Sequence, residues 1–253
     1  MTGVIRQLRA ERYKAKRRHG WTVVAALCLI LLLWSTFTFR NADGRELAQG
    51  YSILFYQLPL LNTILLPLGI SVIASRLCDW EIKGNTLKLL CTLQRKSSFY
   101  DCKLLIGLGY LFVIALAETL GIGIIGVLFP ITETLEIRLL LLHFLQIFAA
   151  GTAVYLLQQT LSLLCENQLA PLGIGLAGSF IGLFSLYFPK QVSRLILWSY
   201  FCQFTPLEMD WDRATREVSF HATTFPLGLF LEFWAVTIGI YALGKFLFLR
   251  KEI

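Results

Sequence analysis

Charged residues are scarce in this sequence. Only 15% of its 253 residues are Asp, Glu, Lys or Arg, whereas 56% are hydrophobic. A soluble globule of this size needs far more polar surface, so a lipid bilayer is the expected solvent. The composition therefore excludes an ordinary soluble domain.

Motifs for nucleotide, metal and covalent chemistry are also missing. There is no GxxxxGK[ST] sequence, so any ATP that the chain uses must be bound by another polypeptide. The six cysteines include no CxxC pair, which supports neither a metal site nor a disulfide framework. No Ser/His/Asp grouping or glycine-rich loop is placed for catalysis. We therefore expect no catalytic residue, no metal ligand and no directly bound cofactor.

The net charge of +7 is concentrated beside the apolar runs. A nucleic-acid-binding domain would spread its basic residues over a folded surface, whereas cytosolic loops of membrane proteins collect them at the ends of spans. The charge is thus a signal of membrane topology, and no nucleic-acid partner is expected.

Hydropathy predicts an all-α membrane protein with six transmembrane helices and with both termini in the cytosol. The predicted spans are residues 21–39, 53–75, 104–129, 137–164, 169–188 and 225–249. Together they form a single domain over 21–253, in which Pro59 and Pro67 are expected to kink the second span. The first run lacks a small-residue cleavage site, so it is interpreted as an uncleaved helix.

Two further segments are predicted to lie at the membrane surface. Residues 1–20 are strongly basic with apolar residues near helical spacing, which predicts an amphipathic helix on lipids of the inner leaflet. Residues 192–204 are apolar but too short to cross, so they are expected to form a re-entrant or interfacial helix outside, followed by an external loop.

The segment from Arg76 to Lys103 lies between the second and third spans and is rich in Lys and Arg. Ile82, Leu87, Leu90 and Leu93 are spaced as an apolar helical stripe, which predicts a short amphipathic helix presented to the cytosol. The alternative is a solvated loop in which the stripe arises by chance.

A few polar or small residues within the spans are candidates for function. Glu118 lies mid-span, and a buried carboxylate there indicates either a functional site or a hydrogen-bonded structural acid. His143 is a candidate partner or a packed histidine, and Glu232 is shallow enough to reach the outer interface. Gly178 and Gly182 form a GxxxG pair that favours close helix approach and supports oligomerisation.

Three segments resemble the permease subunits of type-2 ABC exporters, and among them the lantibiotic-immunity permeases of Gram-positive bacteria. The opening LRAERYKAKRR is similar to the basic helix before the family's first span. The segment DWEIKGNTLKLLCTLQRKSSFYDCKLL is similar to its coupling-helix region, and Glu166-Asn167-Gln168 to its second cytosolic turn. The resemblance covers essentially the full length. One departure is Gln94, where proline is expected in the coupling turn.

The resemblance implies a permease of the bacterial plasma membrane that exports a lantibiotic or other antimicrobial peptide and so confers immunity, a form of antibiotic resistance. Two permeases, identical or homologous, would each insert the coupling helix into a cytosolic ABC ATPase, and the two ATPases would bind ATP and Mg²⁺. The residues assigned to ATPase coupling are Glu81, Asn85, Thr86, Leu87, Lys88, Leu90, Leu93, Arg95 and Lys96.

The external acids and aromatics are candidates for a first contact with a cationic peptide. They are Trp198, Phe204, Glu208, Asp210, Trp211 and Asp212. A solvated acidic loop without such a role is the alternative. Three other functions stay open: export of another cargo such as a bacitracin-like antibiotic, lipid or polysaccharide; a membrane scaffold or sensor without transport; and a secondary transporter driven by Glu118.

Overall fold

A computed structural model describes residues 2–17, 19–84, 86–211 and 218–252. Asn85, Asp212 and Glu217 lie outside the described residues. The main helices are α1 (Thr2–Arg17), α2 (Gly20–Thr38), α3 (Gly44–Ala48), α4 (Gly50–Lys83), α5 (Thr86–Leu93), α6 (Lys96–Leu128), α7 (Ile137–Leu164), α8 (Leu169–Phe184), α9 (Lys190–Ser193), α10 (Tyr200–Gln203) and α11 (Leu227–Arg250).

Six helices in the described part of the chain are long and apolar enough to cross a membrane. They are α2, α4, α6, α7, α8 with the 3₁₀ turn that follows it, and α11. The prediction of an all-α multi-pass membrane protein is therefore confirmed. Residues 192–204 contain only short helices and a 3₁₀ turn (Leu197–Ser199), so they do not form the single interfacial helix that was expected, and no crossing helix is present there.

The centre of the bundle is formed by α4 and α7, which are the most buried of the spans. Small residues from Ala149 to Ala153 let neighbouring helices approach α7 closely. The outer helices α2 and α11 are mostly exposed and carry large apolar side chains such as Leu33 and Leu243. In a membrane protein such exposed apolar surface faces lipid tails or another membrane subunit.

The second and third spans extend further than predicted. α4 runs through Pro59 and Pro67 and continues to Lys83, while α6 already begins at Lys96. Asp79 and Lys83 form an i, i+4 ion pair in the added turns, with 2.7 Å between Oδ2 and Nζ. This pair supports the continuation of α4 beyond the apolar segment. In the predicted loop of residues 76–103, only α5 and a few connecting residues remain between α4 and α6.

The segment before the last span, which was expected to be an external loop, contains strands that were not predicted. β1 (Leu207–Trp211) and β2 (Val218–Ala222) form an antiparallel hairpin, in which Met209 is paired with Phe220 and Trp211 with Val218. Phe220 lies against Tyr56 of α4, with ring centroids 5.7 Å apart. The hairpin is therefore attached to the end of α4 that lies opposite to α5.

Candidate functional site

The short helix α5 lies between the extended ends of α4 and α6. Gln94 and Arg95 alone connect α5 to α6, so this turn is sharp without the expected proline. Leu87 is only 6% exposed and packs with Cys78, Phe99 and Phe248. One side of α5 is therefore fixed to the bundle by apolar contacts.

The opposite side of α5 is exposed and carries both charge and apolar surface. Leu89 and Leu93 are 60% and 74% exposed, and Lys88 and Thr92 lie on the same side. Their i, i+4 spacing makes this one continuous face, which we call the outer face of α5. Thr86 and Arg95 are also exposed.

The structure corrects part of the predicted coupling set. Ile82 belongs to α4, so the predicted stripe does not lie on one helix. Leu87 faces inward, Leu90 is half-buried against it, and Leu89, which was not singled out, is on the outer face. The periodicity could not separate the two sides because α5 has leucines all round it.

Glu81 is not at the surface but in a buried cluster of charges. Lys103 Nζ lies 3.1 Å from Glu81 Oε2 and 3.3 Å from Glu11 Oε2, and it donates a hydrogen bond to the Leu77 carbonyl at 2.5 Å. Lys14 Nζ lies 2.8 Å from Glu11 Oε1 and 3.6 Å from Glu81 Oε1. Glu11, Lys14, Glu81 and Lys103 form what we call the boundary ion cluster. It joins α1, α4 and α6.

The remaining assigned residue, Lys96, belongs to a second set of contacts at this end of the bundle. Lys96 Nζ donates to the carbonyl of Lys251, and Lys251 Nζ donates to the carbonyls of Leu163 and Leu164 at the end of α7. Lysines at a helix C-terminus satisfy carbonyls that have no partner within the helix. The end of α11 is thereby tied to α6 and α7, beside α5.

Glu118 lies in a buried polar site between α4, α6 and α7. Its Oε1 accepts a hydrogen bond from Asn62 Nδ2 at 2.7 Å and lies 3.0 Å from His143 Nε2. The pairing with His143 was considered from the sequence, whereas Asn62 was missed. Oε2 of Glu118 and Oδ1 of Asn62 have no partner among the described residues. Glu232, by contrast, is exposed on α11.

The predicted external contact residues divide into two groups. Phe204 and Trp198 pack inside the bundle, Phe204 against Tyr200 and Phe233, so Phe204 is not available to an external ligand. Glu208, Asp210 and Trp211 are exposed on β1. Glu208 and Asp210 share one face of the hairpin, because side chains alternate along a strand.

Comparison with known families identifies the chain. The model of the family described as "ABC-2 family transporter protein" matches residues 7–182, from α1 to the end of α8. The chain belongs to this ABC-2 family. It is thus a multi-pass membrane permease subunit of an ABC transporter, in bacteria of the plasma membrane, and the family implies partnership with an ABC ATPase. No curated protein and no solved structure matches the chain.

In this ABC-2 permease the GxxxG pair packs inside the subunit. A side chain added at Gly178 would overlap the indole ring of Trp198, and one added at Gly182 would meet Trp198 Cβ and Thr63 Cγ2 at 2.9 Å. The two glycines allow close packing of Trp198 and α4 within the same subunit, so the pair does not support association with a second copy of the chain.

We expect Gly178→Ala to destabilise the permease, by about 1–3 kcal/mol, because the new methyl group must displace a packed tryptophan. Gly173→Ala on the same helix is the matched control, since it meets no atom within 4 Å. Thermal unfolding in detergent and cross-linking between copies are the measurements. A change in cross-linking with unaltered unfolding would instead place Gly178 in a subunit interface.

We expect Glu118→Leu to destabilise the permease by about 1–3 kcal/mol, because it removes the acceptor of Asn62 and the partner of His143. Glu118→Gln keeps an acceptor oxygen and should cost less. Unfolding temperatures of the two variants test this order. If the Glu118→Gln variant transports its cargo normally over the whole pH range tested, the alternative of a secondary transporter driven by this carboxylate is excluded.

Proposed function

We propose that this permease exports cationic amphipathic antimicrobial peptides of the lantibiotic class from the membrane to the medium, and so confers immunity. The energy comes from ATP hydrolysed on Mg²⁺ by two copies of a partner ATPase, and a second permease, identical or homologous, completes the membrane unit. One observation carries the proposal: the exposed apolar and basic face of α5 and the acidic hairpin lie at opposite ends of the helix bundle.

The outer face of α5 is proposed to bind the ATPase. Leu89 and Leu93 supply apolar contact, while Lys88 and Arg95 surround it with positive charge. Exposed ion pairs contribute little, so the two leucines are expected to dominate affinity. Asn85, which belongs to the predicted set, lies outside the described residues.

The rigid surroundings of α5 are proposed to carry the motion of the ATPase into the membrane. Leu87 attaches α5 to the bundle, and Lys103 of the boundary ion cluster links α4 to α6 and α1. A push on α5 would therefore move α4 and α6 together and not deform a loop.

The hairpin end is proposed to receive the peptide. A groove of about 780 Å³ lies between the hairpin and α4, lined by Met209, Val218 and Tyr56 among others. Glu208 and Asp210 are exposed on the opposite face of the hairpin, and Trp211 is 61% exposed. A hairpin with acidic side chains on one face and apolar side chains on the other offers both kinds of contact that a cationic amphipathic peptide needs.

Reconstitution with the partner ATPase in liposomes tests this function. A cationic lanthionine peptide should stimulate ATP hydrolysis, whereas stimulation by bacitracin, lipid or polysaccharide precursors alone would establish a different cargo. No response to any of them would favour a scaffold or sensor. Glu208→Gln should raise the half-stimulating peptide concentration about threefold, as expected for one exposed charge. Glu136→Gln, another exposed acid before α7, is the matched control.

The orientation, with α5 and both termini in the cytosol, is tested by thiol labelling. In a variant that keeps Cys91 alone, an impermeant maleimide should label inside-out vesicles and not intact cells, and Trp211→Cys in a cysteine-free background should behave oppositely. Burial raises the pKa of the Cys91 thiol, and the Lys96 ammonium offsets part of this rise. The thiolate is the reactive form, so labelling should accelerate as the pH is raised from about 7 to about 9. Labelling of Cys91 in intact cells would contradict the orientation.

A further inference from the structure

A groove between α1 and α6 has a polar rim and an apolar floor. It holds about 940 Å³ and is lined by Arg9 and Arg12 of α1, by Trp21 of α2, and by Leu105, Ile106 and Gly109 of α6. Arg9 and Arg12 are exposed, and neither forms an ion pair or hydrogen bond with a residue that the structure describes. Their i, i+3 spacing places both guanidinium groups on the same side of the helix.

The depth of the groove follows from the helices around it. α2 has 19 residues, about the length that crosses a hydrocarbon layer, and it begins at Gly20. A side chain added at Gly20 would meet the hydroxyl of Tyr110 at 2.8 Å, so the start of α2 and Tyr110 lie at the same level. Trp21 and Tyr110 contact each other edge to face, with ring centroids 4.8 Å apart. Tryptophan and tyrosine are enriched at the headgroup level, so the pair favours this depth for the groove.

We propose that this groove is a binding site for one anionic phospholipid, with the phosphate on Arg9 and Arg12 and an acyl chain along Leu105 and Gly109. Arginine binds phosphate through a planar fork of donors, and two unpaired guanidinium groups favour a headgroup with net negative charge over a zwitterionic one. The other side of α1 is fixed to the bundle by Glu11 in the boundary ion cluster, so a lipid in the groove would secure α1 from its outer side.

Native mass spectrometry of the purified permease with phosphatidylglycerol tests the charge requirement. We expect one phosphatidylglycerol to be retained, and matched phosphatidylcholine to bind at least roughly tenfold more weakly, because charge-assisted hydrogen bonds favour the anionic headgroup. Arg9→Gln and Arg12→Gln should each lower occupancy about tenfold. Arg6→Gln, an exposed arginine of α1 that does not line the groove, is the matched control and should leave occupancy unchanged.

A second pair of variants tests the acyl chain without changing any charge. Gly109 and Gly123 lie on α6, and a side chain added at either meets no atom within 4 Å. Gly109→Phe fills the groove and should abolish retention of phosphatidylglycerol, whereas Gly123→Phe lies outside it and should not. Equal occupancy in both glycine variants, or equal loss in all three arginine variants, would overturn the proposal in favour of diffuse attraction of lipid to α1. Competition by glycerol phosphate at equal concentration would show a free phosphate site and would also overturn it.

Discussion

Replacing Lys103 with methionine is expected to lower the unfolding temperature by about 10 °C. The change removes the fully buried one of the two lysines that contact both Glu11 and Glu81, and the partly exposed Lys14 stays beside them. Breaking a buried ion pair typically costs about 3–5 kcal/mol. Intrinsic tryptophan fluorescence during heating in detergent is the measurement. The loss should also release α1, making it more accessible to protease.

Two controls separate this effect from a general loss of charge. Lys245→Met removes a partly exposed partner of Asp101 and should cost no more than about 1 kcal/mol. Adding Glu11→Gln and Glu81→Gln to Lys103→Met removes the excess buried negative charge and should recover much of the loss. If the triple variant is less stable than Lys103→Met, the carboxylates are not the source of the destabilisation.

Replacing Leu89 and Leu93 with aspartate is expected to abolish co-purification with the partner ATPase. These two side chains form the apolar part of the outer face of α5, and apolar residues at the centre of an interface often carry 2 kcal/mol or more each. The affinity should therefore fall by at least about 30-fold for each substitution. Co-elution of the permease with the ATPase in size-exclusion chromatography, together with titration of the purified ATPase, measures this.

The same interface test needs a control for folding. Leu195→Asp places the same charge at a highly exposed leucine between α9 and the following 3₁₀ turn, away from α5, and should leave ATPase binding intact. Both variants should unfold at the temperature of the parent protein. If the double variant Leu89→Asp, Leu93→Asp binds the ATPase fully, the ATPase does not dock on the outer face of α5.

The spans were predictable from the sequence because length and hydropathy alone determine them. Length likewise identified residues 192–204 as too short a segment to cross. The hairpin was missed although its signal was present, since Leu207, Met209 and Trp211 alternate with two acids at the two-residue period of a strand. That alternation was interpreted as a solvated acidic loop.

The boundary ion cluster could not have been found in the same way. Glu11, Glu81 and Lys103 are far apart in the sequence, and only the packing of three helices brings their charges together. Charged residues are usually exposed, so Glu81 was assigned to the contact with the ATPase. In the structure its side chain is buried in the boundary ion cluster instead. A carboxylate within an otherwise basic α1 and a lysine at the start of an apolar run were the available hints.

The length of α4 has a mechanical consequence. Its 34 residues extend roughly 51 Å, from the hairpin toward the end of the bundle at which α5 lies. Rotating a rigid helix of this length by about 6° about one end shifts its other end by about 5 Å, the height of one helical turn. A modest tilt at the α5 end of α4 is thus enough to open or close a gap of molecular size at the hairpin end.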